Sequence, residues 1–282
     1  MNPLTNLLRD GKAPRICVDA RKVNRYNLRD RARVPPIQEL LQQFSGSKFI
    51  TSIDLSSAFL QIGLKKESRK YTSFLFGSQL HQFRRCPYGF RNSLPAFVTA
   101  LQLTLGSDTY DYALAYVDDI IVHFATFELH LKHSDTVVGR LTRAGFSVNA
   151  GKCNFCKTEI SFLGHVMRQG VVSPDPRRIE AIHPATRNQR QLRQFLGTAN
   201  YHNRFVLNYA DDVGLLLPLH KKGSKWHWSS DSQKAFVKLR EKFANSNHLV
   251  QPEETLLYTI NIDASGMANG GVLMQIETVI HT

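Results

Sequence analysis

The tetrapeptide Tyr116-Val117-Asp118-Asp119 restricts how this chain folds more than any other feature of its sequence. It interrupts an apolar stretch, residues 113–122, whose two halves have the composition of buried strands. The sequence therefore predicts a hairpin that carries two adjacent carboxylates at its tip. Two such charges repel each other unless a cation or strong hydrogen-bond donors lie between them.

A third acidic residue, Asp54, ends another strand-like run, residues 48–55. Three carboxylates on neighbouring strand ends would form an oxygen-rich site for two Mg²⁺ ions and for phosphoryl transfer. An Asp-Asp pair between apolar runs is also typical of an ordinary turn, and a single strand-end Asp is not specific. The surrounding sequence has to decide between these interpretations.

Further motifs follow one another along nearly the whole chain: RICVDARKVN at residues 15–24, IDLSSAF at 53–59, PYGFRNS at 87–93, FLGH at 162–165, LRQFLG at 192–197 with Asn200-Tyr201, and KKG at 221–223 with WHW at 226–228 and QKAF at 233–236. Together with the Tyr-Val-Asp-Asp tetrapeptide, they resemble the reverse transcriptase of long-terminal-repeat retrotransposons of the Ty3/gypsy type, a part of the Pol polyprotein. The order and spacing of the motifs make this resemblance specific.

The resemblance implies an α+β fold of the right-hand polymerase type. Its parts would be an antiparallel palm sheet with helices, partial fingers, a helical thumb and a truncated, ribonuclease H-like strand pair. The expected boundaries are residues 1–45 for the partial fingers, 46–165 for the palm with the remaining fingers elements, 166–245 for the thumb and tether, and 246–282 for the truncated start of a ribonuclease H-like domain. The implied function is an RNA-directed DNA polymerase that transfers dNTPs onto a primer.

Catalysis by such a polymerase needs two metal ions, which carboxylates hold about 3.5–4 Å apart. Asp54 and Asp118 are the expected bridging ligands, and Asp119 completes the set. Mg²⁺ is the expected cofactor, with Mn²⁺ as a substitute. Lys152 follows Gly145-Phe146 at the spacing where related polymerases place a lysine that protonates the leaving pyrophosphate.

Other motif positions are expected to bind the nucleotide and the primer. Arg15 would contact the triphosphate, because a guanidinium fork suits phosphate, with a solvated surface arginine as the alternative. Phe59, which the resemblance places on the same palm strand as Asp54, would exclude a 2′-hydroxyl, with core packing as the alternative. Gly89 would allow a close approach of the backbone, with an ordinary turn as the alternative. The primer grip would be formed by Leu163, Gly164 and His165.

The composition agrees with a nucleic-acid partner. The formal net charge is +13 and the pI is about 9.7, which predicts attraction to a polyanion, here an RNA or DNA template with its primer. The sequence contains neither an apolar run of membrane-spanning length nor an N-terminal hydrophobic signal core. Its four cysteines suit a reducing compartment, so we expect an intracellular location in the cytoplasm, a virus-like particle or the nucleus. The oligomeric state stays open.

A zinc site is an alternative interpretation of one region. Cys153 and Cys156 form a C-x-x-C pair, and His130 and His133 lie upstream of it. Two histidines three residues apart on a helix are more typical of a solvated face, and the resemblance implies no metal there.

The last residues resemble the opening of a ribonuclease H domain, with Asp263 as its first metal ligand. Glu277 follows too soon to be the second ligand, so we expect no ribonuclease H activity. Two rival functions remain: a non-catalytic, nucleic-acid-binding remnant of a transposon polyprotein, and an RNA-directed RNA polymerase. The three acids favour an enzyme, and Phe59 argues against ribonucleotides as substrates.

Hydrophobic periodicity and capping signals also predict local structure. The sequence predicts a hairpin around Gly77, helices at 37–44, 94–105, 127–144, 177–182, 189–196 and 230–243, and strands at 256–262 and 272–275. From about Val166 onward the signal is interpreted as helical.

Overall fold

The structure is a computed structural model that describes residues 4–9, 12–30, 32, 34–44, 46–169, 171–180, 188–206, 208–221, 223–224, 226–244, 249–250, 257–264 and 269–275. The chain folds into two units. The first comprises residues 1–43 and 49–157, and the second comprises residues 44–48 and 158–282.

The first unit alternates strands and helices. Its elements are β1 (Leu4–Arg9), β2 (Lys12–Val18), α1 (Arg21–Tyr26), α2 (Ile37–Gln42), β3 (Phe49–Asp54), β4 (Phe74–Phe76), β5 (Gln79–His81), α3 (Ser93–Leu105), β6 (Ala113–Tyr116), β7 (Asp119–Phe124), α4 (Phe127–Arg143) and β8 (Asn154–Lys157). Short 3₁₀ helices cover Ala58–Gln61, Lys66–Thr72, Ser107–Thr109 and Ala150–Lys152.

An antiparallel sheet with strand order β6-β7-β3-β8 forms the centre of this unit. Strand β7 reads Ile120-Ile121-Val122 at its middle, and all three side chains are buried. Helices α3 and α4 pack against the sheet through a shared apolar core that includes Phe97 and Val137. The helices predicted at 94–105 and 127–144 and the hairpin around Gly77 are confirmed.

The second unit begins with strands and continues with helices. Its elements are β9 (Glu159–Phe162), β10 (His165–Arg168), β11 (Val171–Pro174), α5 (Pro176–Glu180), α6 (Gln189–Tyr201), α7 (Tyr209–Gly214), α8 (Leu217–His220), α9 (Ser230–Ala244), β12 (Leu249–Val250), β13 (Tyr258–Ala264) and β14 (Asn269–Gln275), with a 3₁₀ helix at Asn203–Phe205.

The helical interpretation from Val166 onward is wrong for its first part, up to Pro174. Strands β9, β10, β11 and β12 form an antiparallel sheet, and burial along β10 and β11 alternates with the period of two that a strand requires. The helical signal starts at Asp175-Pro176, where the Asp175 carboxylate accepts a hydrogen bond from the Arg177 backbone N–H at 3.0 Å. Residues 181 and 182 of the predicted helix lie outside the described residues.

Helices α6 and α9 follow their predicted caps, whereas α7 and α8 are not predicted from the sequence. The Asn188 side chain accepts a hydrogen bond from Gln191 N at 3.0 Å, and the Ser229 hydroxyl accepts one from Ser232 N at 3.1 Å. Helices α6, α7 and α9 enclose an apolar core centred on Phe195 and Phe236. Strands β13 and β14 form the predicted hairpin, although residues 265–268 of its turn lie outside the described residues. Within the described parts of the chain, no helix has the length and apolarity needed to cross a bilayer.

Candidate active site

The hairpin of β6 and β7 presents the two adjacent acids as predicted. Tyr116 pairs with Asp119, which leaves a loop of two residues, Val117 and Asp118. Val117 has a φ of 57°, while Asp118 is not among the residues with positive φ, and this is the φ pattern of a type II′ turn. A β-branched residue in the left-handed region costs on the order of 1–3 kcal/mol. Such strain is typical of functional sites, and here the pairing of β6 with β7 maintains it and places Asp118 at the hairpin tip.

The third acid faces this hairpin across the sheet. Asp54, the last residue of β3, lies directly opposite Asp119 in the antiparallel register of β3 and β7. Like charges in that position destabilise a sheet. Partial burial raises the pKa of Asp119, and the charges of Asp118 and Asp54 raise it further, whereas Lys152 acts in the opposite direction. The fold therefore concentrates three carboxylates at one end of the sheet.

The segment after α4 holds the end of β3 in place. Asn149 N donates a hydrogen bond to the Asp54 carbonyl at 2.8 Å, and Asp54 N donates one to Cys153 Sγ at 3.4 Å. Lys152 lies between Asn149 and Cys153, on the 3₁₀ helix Ala150–Lys152, and its Nζ is 3.4 Å from Asp54 Oδ1. This lysine is more than half exposed, so its ion pair stabilises the fold little and leaves the ammonium group accessible.

Phe59 does not lie on the palm strand, as the sequence interpretation assumed. Strand β3 ends at Asp54, Ser57 takes a left-handed conformation, and Phe59 falls on the 3₁₀ helix Ala58–Gln61. Its half-buried ring makes edge contacts with Tyr88 and Phe97, with centroids 5.2 and 5.3 Å away. The ring is therefore part of a packed aromatic group and is also partly open to solvent.

Gly89 occupies a position that only glycine fits well. Its φ is +93°, and an added Cβ would lie 3.1 Å from the Val18 carbonyl oxygen. The Asn24 side chain donates to the Gly89 carbonyl at 2.9 Å and accepts from Arg91 N at 2.8 Å. Asn24 therefore fixes the 87–93 loop, a role that sequence reasoning missed although the residue ends the RICVDARKVN motif.

Arg15 belongs to strand β2, where it pairs with Leu7. Its side chain lies outside what the structure describes. Its place on the hairpin is therefore known from the backbone alone.

The predicted primer grip is the turn between β9 and β10. Leu163 and Gly164 have φ values of 49° and 80°, the pattern of a type I′ turn, and Phe162 pairs with His165. The Tyr201 hydroxyl donates a hydrogen bond to the Leu163 carbonyl at 2.7 Å. Helix α6 therefore holds the turn, another contact that the sequence did not reveal.

The ring of His165 faces the interior of the second unit. It is buried beside Tyr201, His202 and Phe205. Burial, followed by the neighbouring His202, lowers the pKa of His165 to about 4. The imidazole is therefore neutral at physiological pH and supports the turn from inside.

The histidines of α4 do not line a solvated face, contrary to that expectation. His130 is buried and its Nε2 lies 2.8 Å from the Thr51 hydroxyl, while the His133 ring stacks on Tyr112 at 3.8 Å. Cys153 Sγ hydrogen-bonds with two backbone groups: it accepts from Asp54 N at 3.4 Å and donates to the Asn149 carbonyl at 3.2 Å. Within the described ranges no three His, Cys, Asp or Glu side chains are placed to hold a metal ion together, so the zinc interpretation gains no support, and Asp54, Asp118 and Asp119 do not by themselves form a closed set of ligands.

Comparison with known families identifies the class of protein to which this site belongs. Residues 9–167, more than half of the chain, match the family described as reverse transcriptase (RNA-dependent DNA polymerase). The chain therefore belongs to the reverse transcriptase family. Residues 228–281 match the RNase H-like domain found in reverse transcriptase, a match that begins ahead of the expected boundary at 246.

Curated relatives confirm the retrotransposon resemblance. The Pol polyprotein of transposon 412 from Drosophila melanogaster is 31% identical over 268 residues, covering 94% of this chain and 22% of the relative. The polyprotein of transposon gypsy from the same organism is 29% identical, covering 93% and 27%, and the Tf2-3 polyprotein of Schizosaccharomyces pombe is 27% identical, covering 93% and 20%. The chain thus spans about a quarter of the length of these relatives.

Solved structures confirm the fold class. A foamy viral protease–reverse transcriptase in complex with double-stranded DNA superposes with a TM-score of 0.88 at 23% identity, covering 97% of this chain and 49% of the other. A foamy viral protease–reverse transcriptase in complex with an RNA/DNA hybrid gives a TM-score of 0.84 at 23% identity, covering 97% of this chain and 37% of the other. The α+β reverse transcriptase fold is therefore shared.

Proposed function

We propose that this chain is the polymerase core of a retrotransposon Pol polyprotein and adds dNTPs to a primer on an RNA or DNA template. The observation that carries the proposal is the register that sets Asp54 opposite Asp119, with Asp118 in the adjoining two-residue turn. The net charge of +13 and the likeness to foamy viral enzymes bound to DNA and to an RNA/DNA hybrid support a nucleic-acid template.

The three acids fit divalent metal ions. Carboxylate oxygens are hard ligands that suit Mg²⁺ or Mn²⁺. Burial first, and then repulsion by Asp118 and Asp54, raises the pKa of Asp119, and a cation would relieve that repulsion. Asp54, Asp118 and Asp119 would hold the ions. Mg²⁺ is commonly held by a few carboxylates together with substrate phosphates, so a complete protein cage is not required. When bound, two such ions stabilise the attacking 3′-oxygen and the pyrophosphate leaving group.

Other side chains would prepare the substrates. Lys152 would donate its Nζ proton to the departing pyrophosphate, since it is accessible and lies beside Asp54. Arg15 would contact the triphosphate, Phe59 would limit the space at the sugar, and Gly89 would let the backbone approach the nucleotide. The turn at Leu163, Gly164 and His165 would position the primer through its backbone, because the His165 ring is buried.

The domain organisation follows from the same motifs. We assign residues 1–45 to partial fingers, 46–165 to the palm with the remaining fingers elements, 166–245 to the thumb and tether, and 246–282 to the start of a ribonuclease H-like domain. Because the relatives are transposon polyproteins, we propose that this chain acts inside the cell.

Primer extension by matched variants tests the proposal. Asp118→Ala removes a proposed metal ligand, whereas Asp111→Ala removes an exposed acid that lies just before β6 and outside the site. We expect Asp118→Ala to abolish extension while retaining binding of an RNA–DNA duplex, and Asp111→Ala to extend normally. Unchanged extension by Asp118→Ala would refute the assignment, and duplex binding without extension by the wild type would favour the non-catalytic alternative.

A further inference from the structure

The side-chain amide of Gln61 joins two segments of the first unit that lie far apart in the sequence. Its Nε2 donates to the Ser56 carbonyl at 2.6 Å and to the Ser147 carbonyl at 3.0 Å, and its Oε1 accepts from Ser147 N at 2.6 Å. Two carbonyls and one N–H can be matched by only one orientation of an amide, which fixes its oxygen and its nitrogen. The half-buried side chain of Gln61 therefore makes three hydrogen bonds to backbone groups.

The Gln61 amide completes a short antiparallel bridge. Leu55 pairs with Val148, and Ser56 N donates to the Ser147 carbonyl at 2.9 Å. In a regular antiparallel pair, the reciprocal hydrogen bond would run from Ser147 N to the Ser56 carbonyl. The amide bonds both of these groups, so it takes the place of that hydrogen bond just after the end of β3.

The next pair of the same bridge is completed by another side chain. Asn149 N donates to the Asp54 carbonyl at 2.8 Å, while Cys153 Sγ accepts from Asp54 N at 3.4 Å and donates to the Asn149 carbonyl at 3.2 Å. The amide of Gln61 and the thiol of Cys153 therefore each close one side of the bridge. Residues 147–149 are joined to the end of β3 over their whole length.

The segment held in this way leads directly to Lys152. Lys152 N donates to the Asn149 carbonyl at 3.0 Å, and Lys152 Nζ lies 3.4 Å from Asp54 Oδ1. The lysine side chain is 59% exposed, so its ion pair contributes little to holding it in place. The position of the ammonium group therefore depends on the backbone beneath it, which Gln61 contacts at the start of the segment.

We propose that Gln61 is a positioning residue whose amide holds residues 147–152 against the end of β3, so that Lys152 stays within reach of the pyrophosphate that forms beside Asp54. Gln61 would contact neither the nucleotide nor a metal ion. Because Lys152 is assigned a role only in nucleotide addition, the role of Gln61 rests on the proposed function.

Hydrogen exchange of the purified chain tests the structural step without any substrate. Gln61→Leu removes all three hydrogen bonds at similar size, and Gln61→Glu retains the acceptor for Ser147 N but loses the donor. Gln42→Leu is the matched control at an exposed glutamine of α2. Ser147 is exposed, so water can replace its lost partner and the variants should fold. We expect exchange in residues 145–153 to become faster by on the order of 10-fold in both Gln61 variants and to stay unchanged in Gln42→Leu.

A double-mutant cycle with Lys152→Met tests the catalytic step. The measured quantity is the rate of single-nucleotide addition to a DNA primer on an RNA template at saturating dNTP. Lys152→Met should lower this rate by about 100- to 10,000-fold, the contribution typical of a general acid. Gln61→Leu alone should lower it by up to about 100-fold, the cost of a small displacement. Added to Lys152→Met, the same change should cost no more than about twofold, because its effect is exerted through the lysine.

Each other outcome has a distinct meaning. Equal exchange of residues 145–153 in the wild type and in Gln61→Leu would overturn the structural step. Additive losses in the cycle would show that Gln61 only supports the fold, and an unchanged rate in Lys152→Met would exclude an effect through that lysine. Either result, with normal extension by the wild type, would overturn the inference alone. Absence of extension by the wild type, with exchange as expected, would overturn the proposed function and with it the catalytic role of Gln61.

Discussion

Replacement of Phe59 by valine separates a role in nucleotide selection from a role in packing. The Phe59 ring makes edge contacts with Tyr88 and Phe97 at centroid distances of 5.2 and 5.3 Å. Each such aromatic pair contributes about 0.5–1.5 kcal/mol beyond burial, so losing both should destabilise the fold by about 1–3 kcal/mol. If the ring also excludes a 2′-hydroxyl, the variant should gain ribonucleotide use by about 10- to 200-fold, the range for one group in a pocket.

The assay is the ratio of kcat/KM for a dNTP to that for the matching rNTP, measured beside urea unfolding. Ile62→Ala is the matched control, because Ile62 packs against the same apolar core without belonging to the proposed nucleotide site. We expect Phe59→Val to lower both the ratio and the stability, and Ile62→Ala to lower the stability alone. An unchanged ratio in Phe59→Val, with both activities falling together, would show that Phe59 is only a core residue.

Three further outcomes follow from the structure. Burial, followed by the charges of His130 and His133, lowers the pKa of His123 to about 4, so the folded state keeps this ring neutral while the unfolded chain protonates it below about 6.5. Stability should therefore be complete above about pH 6.5 and fall by up to about 3 kcal/mol as the pH drops towards 4, and denaturation of His123→Phe across that range should show a smaller loss than the wild type. Tyr201→Phe should raise KM for primer–template without changing dNTP selectivity, because it releases the Leu163 carbonyl at the turn; an unaltered KM would show that this hydrogen bond does not position the primer. Affinity for duplex should fall steeply and linearly on a log–log salt plot, as phosphate contacts by a chain of charge +13 require, and a flat plot would contradict phosphate-driven binding.

Local signals in the sequence are sufficient to predict most of the fold. The apolar run around residues 113–122 predicts the β6–β7 hairpin, and Asn188 predicts the start of α6 through its capping side chain. These features depend on neighbours within a few residues, which is why periodicity and capping residues reveal them. Local signals do not predict that Asp54 lies opposite Asp119, because only the family resemblance suggests which strands pair.

Most of the features that sequence reasoning misses concern contacts between distant parts of the chain. Residues 166–174 are predicted to be helical because the motifs after them are helical, although their burial alternates as in a strand. Phe59 is predicted on a strand that in fact ends at Asp54, and His130 is predicted on a solvated face although it bonds Thr51 from inside the core. Helical spacing alone does not show which face of a helix packs against the core. The contact between Tyr201 and the Leu163 carbonyl spans 38 residues and leaves no local signal.

The central claim is tested most directly by extension of a DNA primer on an RNA template. The purified chain would be supplied with dNTPs or rNTPs, with Mg²⁺ or with a chelator. We expect the primer to lengthen only with dNTPs and only with the metal present, and Asp54→Ala to abolish the product while Asp111→Ala retains it. Extension that prefers rNTPs, extension that persists in the chelator, or the absence of any product from a chain that still binds the duplex would contradict an RNA-directed DNA polymerase built on Asp54, Asp118 and Asp119.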